Sequence, residues 1–286
     1  MKYAIGLDIG GTKIEGVLCN EKYQVKKRIR IKTPEKKVEF LKALKKIIGE
    51  LKIMPVEGVG ISIGGFLDEK KQLINCPNIL FLQKIDIHSI IKKGLGQKIK
   101  VVVENDANCF AIAEHKLGAG KGSTNMVGVI LGTGIGSGII INNELYKGSI
   151  GAAGEFGHTI IDVSKNEDNK WENFCSGPNI VKRYYVNKGK MKEATPSKIF
   201  KSNEFAAKKT VKKTIELLSV GFANINNALN PDKIVVGGGL SNINFYKELN
   251  KETKKRTIPL VKDSSLIVKN QLGDSSGVLG AVMLVL

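Results

Sequence analysis

Asp8, Thr12 and Lys13 stand where an apolar run breaks into glycine, in Ala4-Ile5-Gly6-Leu7-Asp8-Ile9-Gly10-Gly11-Thr12-Lys13. The pattern recurs as Val129-Ile130-Leu131-Gly132-Thr133-Gly134-Ile135-Gly136-Ser137-Gly138. Each time an apolar strand runs into Gly and Thr, and a second apolar strand follows. Glycine lets backbone N–H groups come close to phosphate oxygens. Thr12 and Thr133 add hydroxyls, and Lys13 adds a positive charge. Asp8, at a strand end, suits Mg²⁺ held through water, because Mg²⁺ keeps much of its hydration shell. The glycines join two strands, so this is neither the Gly-x4-Gly-Lys-Ser/Thr loop nor a Gly-x-Gly-x-x-Gly fingerprint before a helix. A tight hairpin without a ligand explains either segment alone. The repetition points instead to a polyphosphate held between two lobes, and so to ATP chemistry.

Three further clusters carry polar groups. Glu104-Asn105-Asp106-Ala107-Asn108 lies at a strand-to-helix junction. It reads equally as an N-cap and as the place of a general base, since phosphoryl transfer to an alcohol needs a carboxylate facing the hydroxyl. Gly151-Ala152-Ala153-Gly154-Glu155-Phe156-Gly157-His158 sets Glu155 three residues before His158 in a run of small residues. The pair offers an acceptor and a switchable donor for hydroxyls, although a lone His is more often structural. Gly237-Gly238-Gly239-Leu240-Ser241 follows the strand Ile234-Val235-Val236. Adenine could lie flat on such a turn, and a plain strand-helix turn is the other reading.

The elements that must position these residues come in two series. Three strands are expected in the first 32 residues. A helix over 38–51 follows, with Phe40, Leu41, Leu44, Ile47 and Ile48 on one face. Strands over 56–63 and 100–103 and a helix over 107–117 complete the first series. The order then restarts with strands over 126–131 and 135–141 and an Asn142-Asn143 hairpin signal. A long helix over 204–229, a strand over 233–236, a helix over 243–256, a strand over 266–268 and a final helix over 276–286 follow. A duplicated α/β lobe accounts for this.

At 286 residues the chain can bury a large core. No apolar run reaches the ~18 residues of a membrane span, and strand residues begin at once, so a cytoplasmic protein without a membrane partner is expected. Cys19, Cys76, Cys109 and Cys175 show no paired spacing, as expected for reduced thiols. The 45 Lys+Arg against 27 Asp+Glu give +18, with lysines in scattered clusters. No basic helix with interleaved aromatics emerges, so no nucleic-acid partner is expected. The positive field favours an anionic substrate such as ATP.

With these motifs in order, the chain resembles the ROK family of sugar kinases. The resemblance runs through Asp8-Ile9-Gly10-Gly11-Thr12-Lys13, Gly64-Gly65, residues 104–108, Leu131-Gly132-Thr133-Gly134-Ile135-Gly136, Gly154-Glu155-Phe156-Gly157-His158, Asn230-Pro231, Gly237-Gly238-Gly239 and Leu279-Gly280-Ala281. It implies an actin-like, RNase H-like α/β fold of two duplicated lobes around a central cleft, with residues 1–112 plus 274–286 as one lobe and 113–273 as the other. It implies Asp106 as general base toward a hexose hydroxyl, most often the 6-hydroxyl of glucose or a related hexose. N-acetylmannosamine, N-acetylglucosamine and fructose are the alternative substrates. Gly65, Asn105, Glu155, His158 and Glu172 resemble sugar ligands. Asp8, Gly10, Gly11, Thr12, Lys13, Thr133, Gly134 and residues 237–239 resemble the site for ATP and its Mg²⁺. A homodimer is common in the family.

One departure stands out. The family carries Cys-x-Cys-Gly-x-x-Gly-Cys between its His and its last sugar-binding Glu. Residues 159–171 contain no cysteine. A structural zinc site needs about four ligands, so no zinc is expected, and Trp171 or Asp162 would have to fix His158 instead. The family also holds sugar-responsive repressors with an N-terminal helix-turn-helix. The first turn begins by residue 5, which argues against that reading. A non-catalytic sugar sensor is opposed by the presence of Asp8, Asp106 and Thr133.

Overall fold

The computed structural model describes residues 1–67, 73, 74, 76, 79–95, 99–163 and 169–286. They form two compact units. Unit 1 comprises Met1–Ala113, Gly148–Ala152 and Asp274–Leu286, and unit 2 comprises Glu114–Lys147 and Ala153–Gly273.

Unit 1 holds β1 (Tyr3–Ile9), β2 (Lys13–Asn20), β3 (Val25–Lys32), α1 (Lys37–Leu51), β4 (Gly58–Ile63), the short pair β5 (Phe66–Leu67) and β6 (Leu73–Ile74), α2 (Ile87–Leu95), β7 (Lys100–Asn105) and the start of α3 (Asp106–Leu117). The main sheet has the order β3-β2-β1-β4-β7. β1, β2 and β3 are antiparallel neighbours, while β1, β4 and β7 run parallel. All six residues of β4 are buried, as for a central parallel strand covered on both faces. β3 alternates along Val25-Lys26-Lys27-Arg28-Ile29-Arg30-Ile31-Lys32 and presents one face to water. α1 buries Phe40, Leu44, Ile47, Ile48 and Leu51, the stripe a 3.6-residue period requires.

Unit 2 repeats the plan. It holds β8 (Met126–Leu131), β9 (Ile135–Ile141), β10 (Glu144–Tyr146), α4 (Trp171–Cys175), α5 (Gly177–Val186), α6 (Pro196–Lys201), α7 (Phe205–Leu229), β11 (Lys233–Gly237), α8 (Tyr246–Lys254) and β12 (Leu266–Lys269). Its sheet order is β10-β9-β8-β11-β12, with the same pattern of antiparallel and parallel pairs. Asn142 and Asn143 both take positive φ, 53° and 67°, as a two-residue primed hairpin requires. α7 lies over Trp171, whose ring meets Phe222 edge-on at 5.2 Å.

The last helix, α9 (Ser276–Met283), belongs to unit 1. A Cβ at Gly60 would sit 1.7 Å from the Ala281 carbonyl oxygen, and one at Gly280 would sit 1.9 Å from that of Cys109. Only glycine permits this approach, which lays the helix backbone directly on β4 and α3. Two expectations change in detail. The helix expected over 243–256 begins only at Tyr246, because residues 239–242 form a tighter 3-10 turn, and α9 ends at Met283. α2, α4, α5 and α6 have no counterpart in the sequence reading.

Candidate active site

In unit 1, the hairpin between β1 and β2 is closed by Gly10 N–H donating to the Lys13 carbonyl at 3.0 Å. Thr33 braces it from β3's far end: its hydroxyl donates to Gly10 O at 2.6 Å and its N–H to Thr12 O at 3.0 Å. Gly11 and Thr12 are left exposed at the tip. Lys13 Nζ lies 3.4 Å from Asp274 Oδ2 and 3.8 Å from Glu15 Oε2. Glu15 is fully buried, and Arg28 and Arg30 each meet one of its oxygens at 2.6 Å. Arg30 is its directly opposed residue across β2 and β3, so sheet register sets this clamp.

Asp8 is the penultimate residue of β1 and half-buried, with Ser62 Oγ donating to its Oδ1 at 2.7 Å. A Cβ at Gly277, at the start of α9, would lie 2.9 Å from that same oxygen. Burial pushes the Asp8 carboxyl up to about 6, the Ser62 hydrogen bond works against this, and the nearby Asp106 charge adds to it. Asp106 is the first residue of α3. Its carboxyl is also raised by burial, against the pull of the Ala107 N–H that it accepts at 2.9 Å. Unit 1 thus brings together two carboxyls that are both harder to ionise than usual. That is a common mark of reacting groups.

Asn105 links this pair to the glycine bend after β4. Its Oδ1 accepts the Ala107 N–H at 2.9 Å, and its Nδ2 donates to Gly65 O at 3.2 Å. Gly65 has φ 124°, a conformation that side chains avoid. Glu104 Oε1 accepts from both Asn105 N–H and Asn108 Nδ2 at 2.9 Å. Asn105 serves the helix start, as the N-cap reading expects, and Asp106 engages the same Ala107 N–H with one oxygen.

In unit 2, the turn between β8 and β9 borders a cleft of about 720 Å³. Gly132 and Thr133 form one side, Gly239, Leu240 and Ile243 another, and Gly177, Pro178, Val181 and residues 194–197 the rest. Among the described residues no charged side chain lines it, so it suits a flat, neutral ring with hydroxyls nearby. Of residues 237–239, Gly239 alone borders this cleft. Gly237 is buried at the end of β11, and Gly238, at φ 79°, packs on Leu131, where a Cβ would meet the carbonyl oxygen at 2.4 Å. Gly238 thereby ties the β11 turn to the end of β8. The walls from 177–197 belong to no motif singled out in the sequence, because they come from helices α5 and α6 folded over the turn.

The Glu155 and His158 side chains are about half exposed, 44% and 52%, and lie 3.6 Å apart between Oε2 and Nε2. Two glycines seat their motif on β9. A Cβ at Gly154 would lie 2.4 Å from Ser137 O, and one at Gly157 would lie 2.3 Å from Ile135 O. Ser137 Oγ also donates to the Gly154 carbonyl. Glu172, on α4, reaches the same strand: its Oε2 accepts the Ile135 N–H at 2.6 Å. The structure therefore groups Thr133, Gly134, Glu155, His158 and Glu172 about the start of β9.

Residues 4–286 match the ROK family. The chain belongs to the ROK family. The N-acetyl-D-glucosamine kinases of Mannheimia succiniciproducens and Vibrio cholerae are each 32% identical to it, over 98% of both chains. Among solved structures, a ROK family glucokinase from Streptomyces griseus, in complex with glucose and AMPPNP, is 26% identical, with a TM-score of 0.83 and 99% of each chain covered. A ROK family transcriptional regulator, 19% identical, shares the fold at a TM-score of 0.87, with 77% of its own length covered. The fold of this ROK protein is α/β and actin-like, each unit built on the same five-stranded order.

Residues 159–171 hold no cysteine to supply the zinc ligands that the ROK resemblance implies. Cys175 is wholly buried in the core of unit 2, and burial pushes its thiol up to about 12. Among the described residues no group of three or more His, Cys, Asp or Glu could hold a metal ion. Backbone contacts close the segment after His158 instead: Trp171 N–H donates to Thr159 O at 2.8 Å and Ile161 N–H to Asn169 O at 3.0 Å. Trp171 itself turns inward, with its indole N–H on Leu217 O at 3.2 Å.

Proposed function

We propose that this ROK protein phosphorylates the 6-hydroxyl of an N-acetylhexosamine, with N-acetylglucosamine as its best acceptor. The chain is an ATP-dependent sugar kinase. The observation that carries the mechanism is the Asp106 carboxyl, raised by burial and fixed at the first turn of α3 beside Asn105. The acceptor assignment rests on the 32% identity to N-acetyl-D-glucosamine kinases across nearly the full chain. It is preferred to glucose, which the family resemblance put first, with N-acetylglucosamine among the alternatives.

The reaction we infer uses this chain's residues as follows. Asp106 accepts the proton of the sugar hydroxyl as its oxygen bonds to the γ-phosphorus and the bond to the β-bridging oxygen breaks, releasing ADP. Asn105, Gly65, Glu155, His158 and Glu172 hold sugar hydroxyls. The neutral cleft beside Thr133 and Gly239 takes the adenosine. Gly10, Gly11, Thr12 and Lys13 take phosphate oxygens. Asp8 would hold Mg²⁺ through water; bound Mg²⁺ supplies charge neutralisation on those oxygens. No zinc takes part, and His158 is set by the Gly154 and Gly157 contacts and by Glu155.

The test is an ADP-release assay over N-acetylglucosamine, N-acetylmannosamine, glucose and fructose, with the product's phosphate position read by NMR. We expect the largest kcat/KM for N-acetylglucosamine and phosphate on O6. A higher kcat/KM for glucose would overturn the acceptor assignment.

A further inference from the structure

Glu172 touches more than a sugar ligand would need to. Its Oε2 accepts the Ile135 N–H at 2.6 Å, and the same oxygen lies 2.5 Å from where a Cβ on Gly134 would stand. Five residues on, Gly177 N–H donates to Gly132 O at 2.8 Å. The segment between is itself tied: Asn179 Nδ2 donates to Ser176 Oγ at 2.8 Å and to Glu172 O at 3.3 Å. One short stretch of chain therefore grips both ends of the turn from Gly132 to Ile135.

We propose that Glu172 is a positioning residue for the nucleotide, holding the second glycine turn in its phosphate-binding shape while its other oxygen serves the sugar. The sugar half rests on the kinase reading above; the nucleotide half stands on the turn alone. A hydrogen bond between a carboxylate and a backbone N–H is among the stronger ones, so it fixes the orientation of the Gly134–Ile135 peptide group. Gly132 and Thr133 border the neutral cleft, so a shift of that peptide group moves the cleft wall. Oε1 has no hydrogen bond among the described residues. A sugar hydroxyl donating to it would hold the carboxylate in place against the Ile135 N–H, and sugar and nucleotide would then strengthen each other's binding.

MgADP binding by calorimetry, without and with N-acetylglucosamine, tests this on the full chain. Without sugar, Glu172→Ala is expected to weaken MgADP about tenfold, as for one lost hydrogen bond to a charged acceptor. Glu172→Gln keeps a carbonyl oxygen for the Ile135 N–H and is expected to bind MgADP within about twofold of the parent. The parent should bind MgADP more tightly with the sugar present, and both variants should lose that gain. Gly134→Ala, whose methyl displaces the carboxylate, should reproduce the Glu172→Ala weakening and decides the matter if Glu172→Ala fails to fold. Parent-like MgADP binding in Glu172→Ala, or in Gly134→Ala, overturns the proposal. The measurement without sugar stays readable even if the chain phosphorylates no sugar, so the two readings fail separately.

Discussion

The two glycine turns share a backbone plan and differ in what surrounds them. Each joins the first two strands of a five-stranded sheet of the same order. In unit 1 the hairpin is ringed by ionisable groups: Asp8 and Asp106 with raised carboxyls, and Lys13 between Glu15 and Asp274. In unit 2 the Glu172 carboxylate lies against the turn and faces its backbone, and the adjoining cleft is neutral among the described residues. The same loop can therefore serve charge chemistry or shape recognition. The neighbours decide which, because glycine itself contributes only access to the backbone.

Substitutions should expose that asymmetry. The largest effect is expected for Asp106→Asn, which should lower turnover by roughly 10²–10⁴-fold while sugar affinity is kept. Steady-state kinetics beside sugar titration would check it, and near-normal turnover would remove the base from unit 1. Asp8→Asn should follow, with turnover reduced by about 10²-fold through lost Mg²⁺ placement. Thr133→Ala, at the neutral turn, should cost only about threefold in KM for ATP, the scale of one neutral hydrogen bond. Equal losses in these two variants would mean the turns do the same work after all.

A smaller effect concerns stability against pH. Asp8 in the folded chain titrates near 6, above its usual 3.8. Between those values the folded state binds more protons than the unfolded state, so stability falls as pH rises through this window and levels off above it. Asp8→Asn removes this group's contribution to the slope. Melting temperatures without Mg²⁺ or nucleotide, at several pH values, should therefore show the variant gaining on the parent from pH 4 to about 6.5. A constant difference across that range would mean the Asp8 carboxyl is not raised.

Much of the plan can be read from residue order. The run Val129-Ile130-Leu131-Gly132 signals a buried strand entering a turn wherever it occurs, and β8 ends at Leu131 as the pattern requires. Asn105-Asp106 at a strand end predicts a helix start, and α3 begins at Asp106. Such features are local: they rest on periodicity, on glycine and on capping groups within a few residues of one another. α4 and α6 are too short to show a helical period, and the sequence predicts no element over either of them.

Residue order alone yields the inventory and the repeat: two glycine hairpins, a strand-to-helix Asp106, and a Glu155–His158 pair, in an order that identifies the family. Tertiary structure alone decided who meets whom. Ser62 reaches Asp8 across 54 residues, and Gly277 makes room for it from the far end of the chain. Glu172 reaches Ile135 across 37 residues. These pairings depend on sheet register and on how closely helix backbones approach strands. Both follow from packing summed over a whole unit, so no local stretch of sequence contains them.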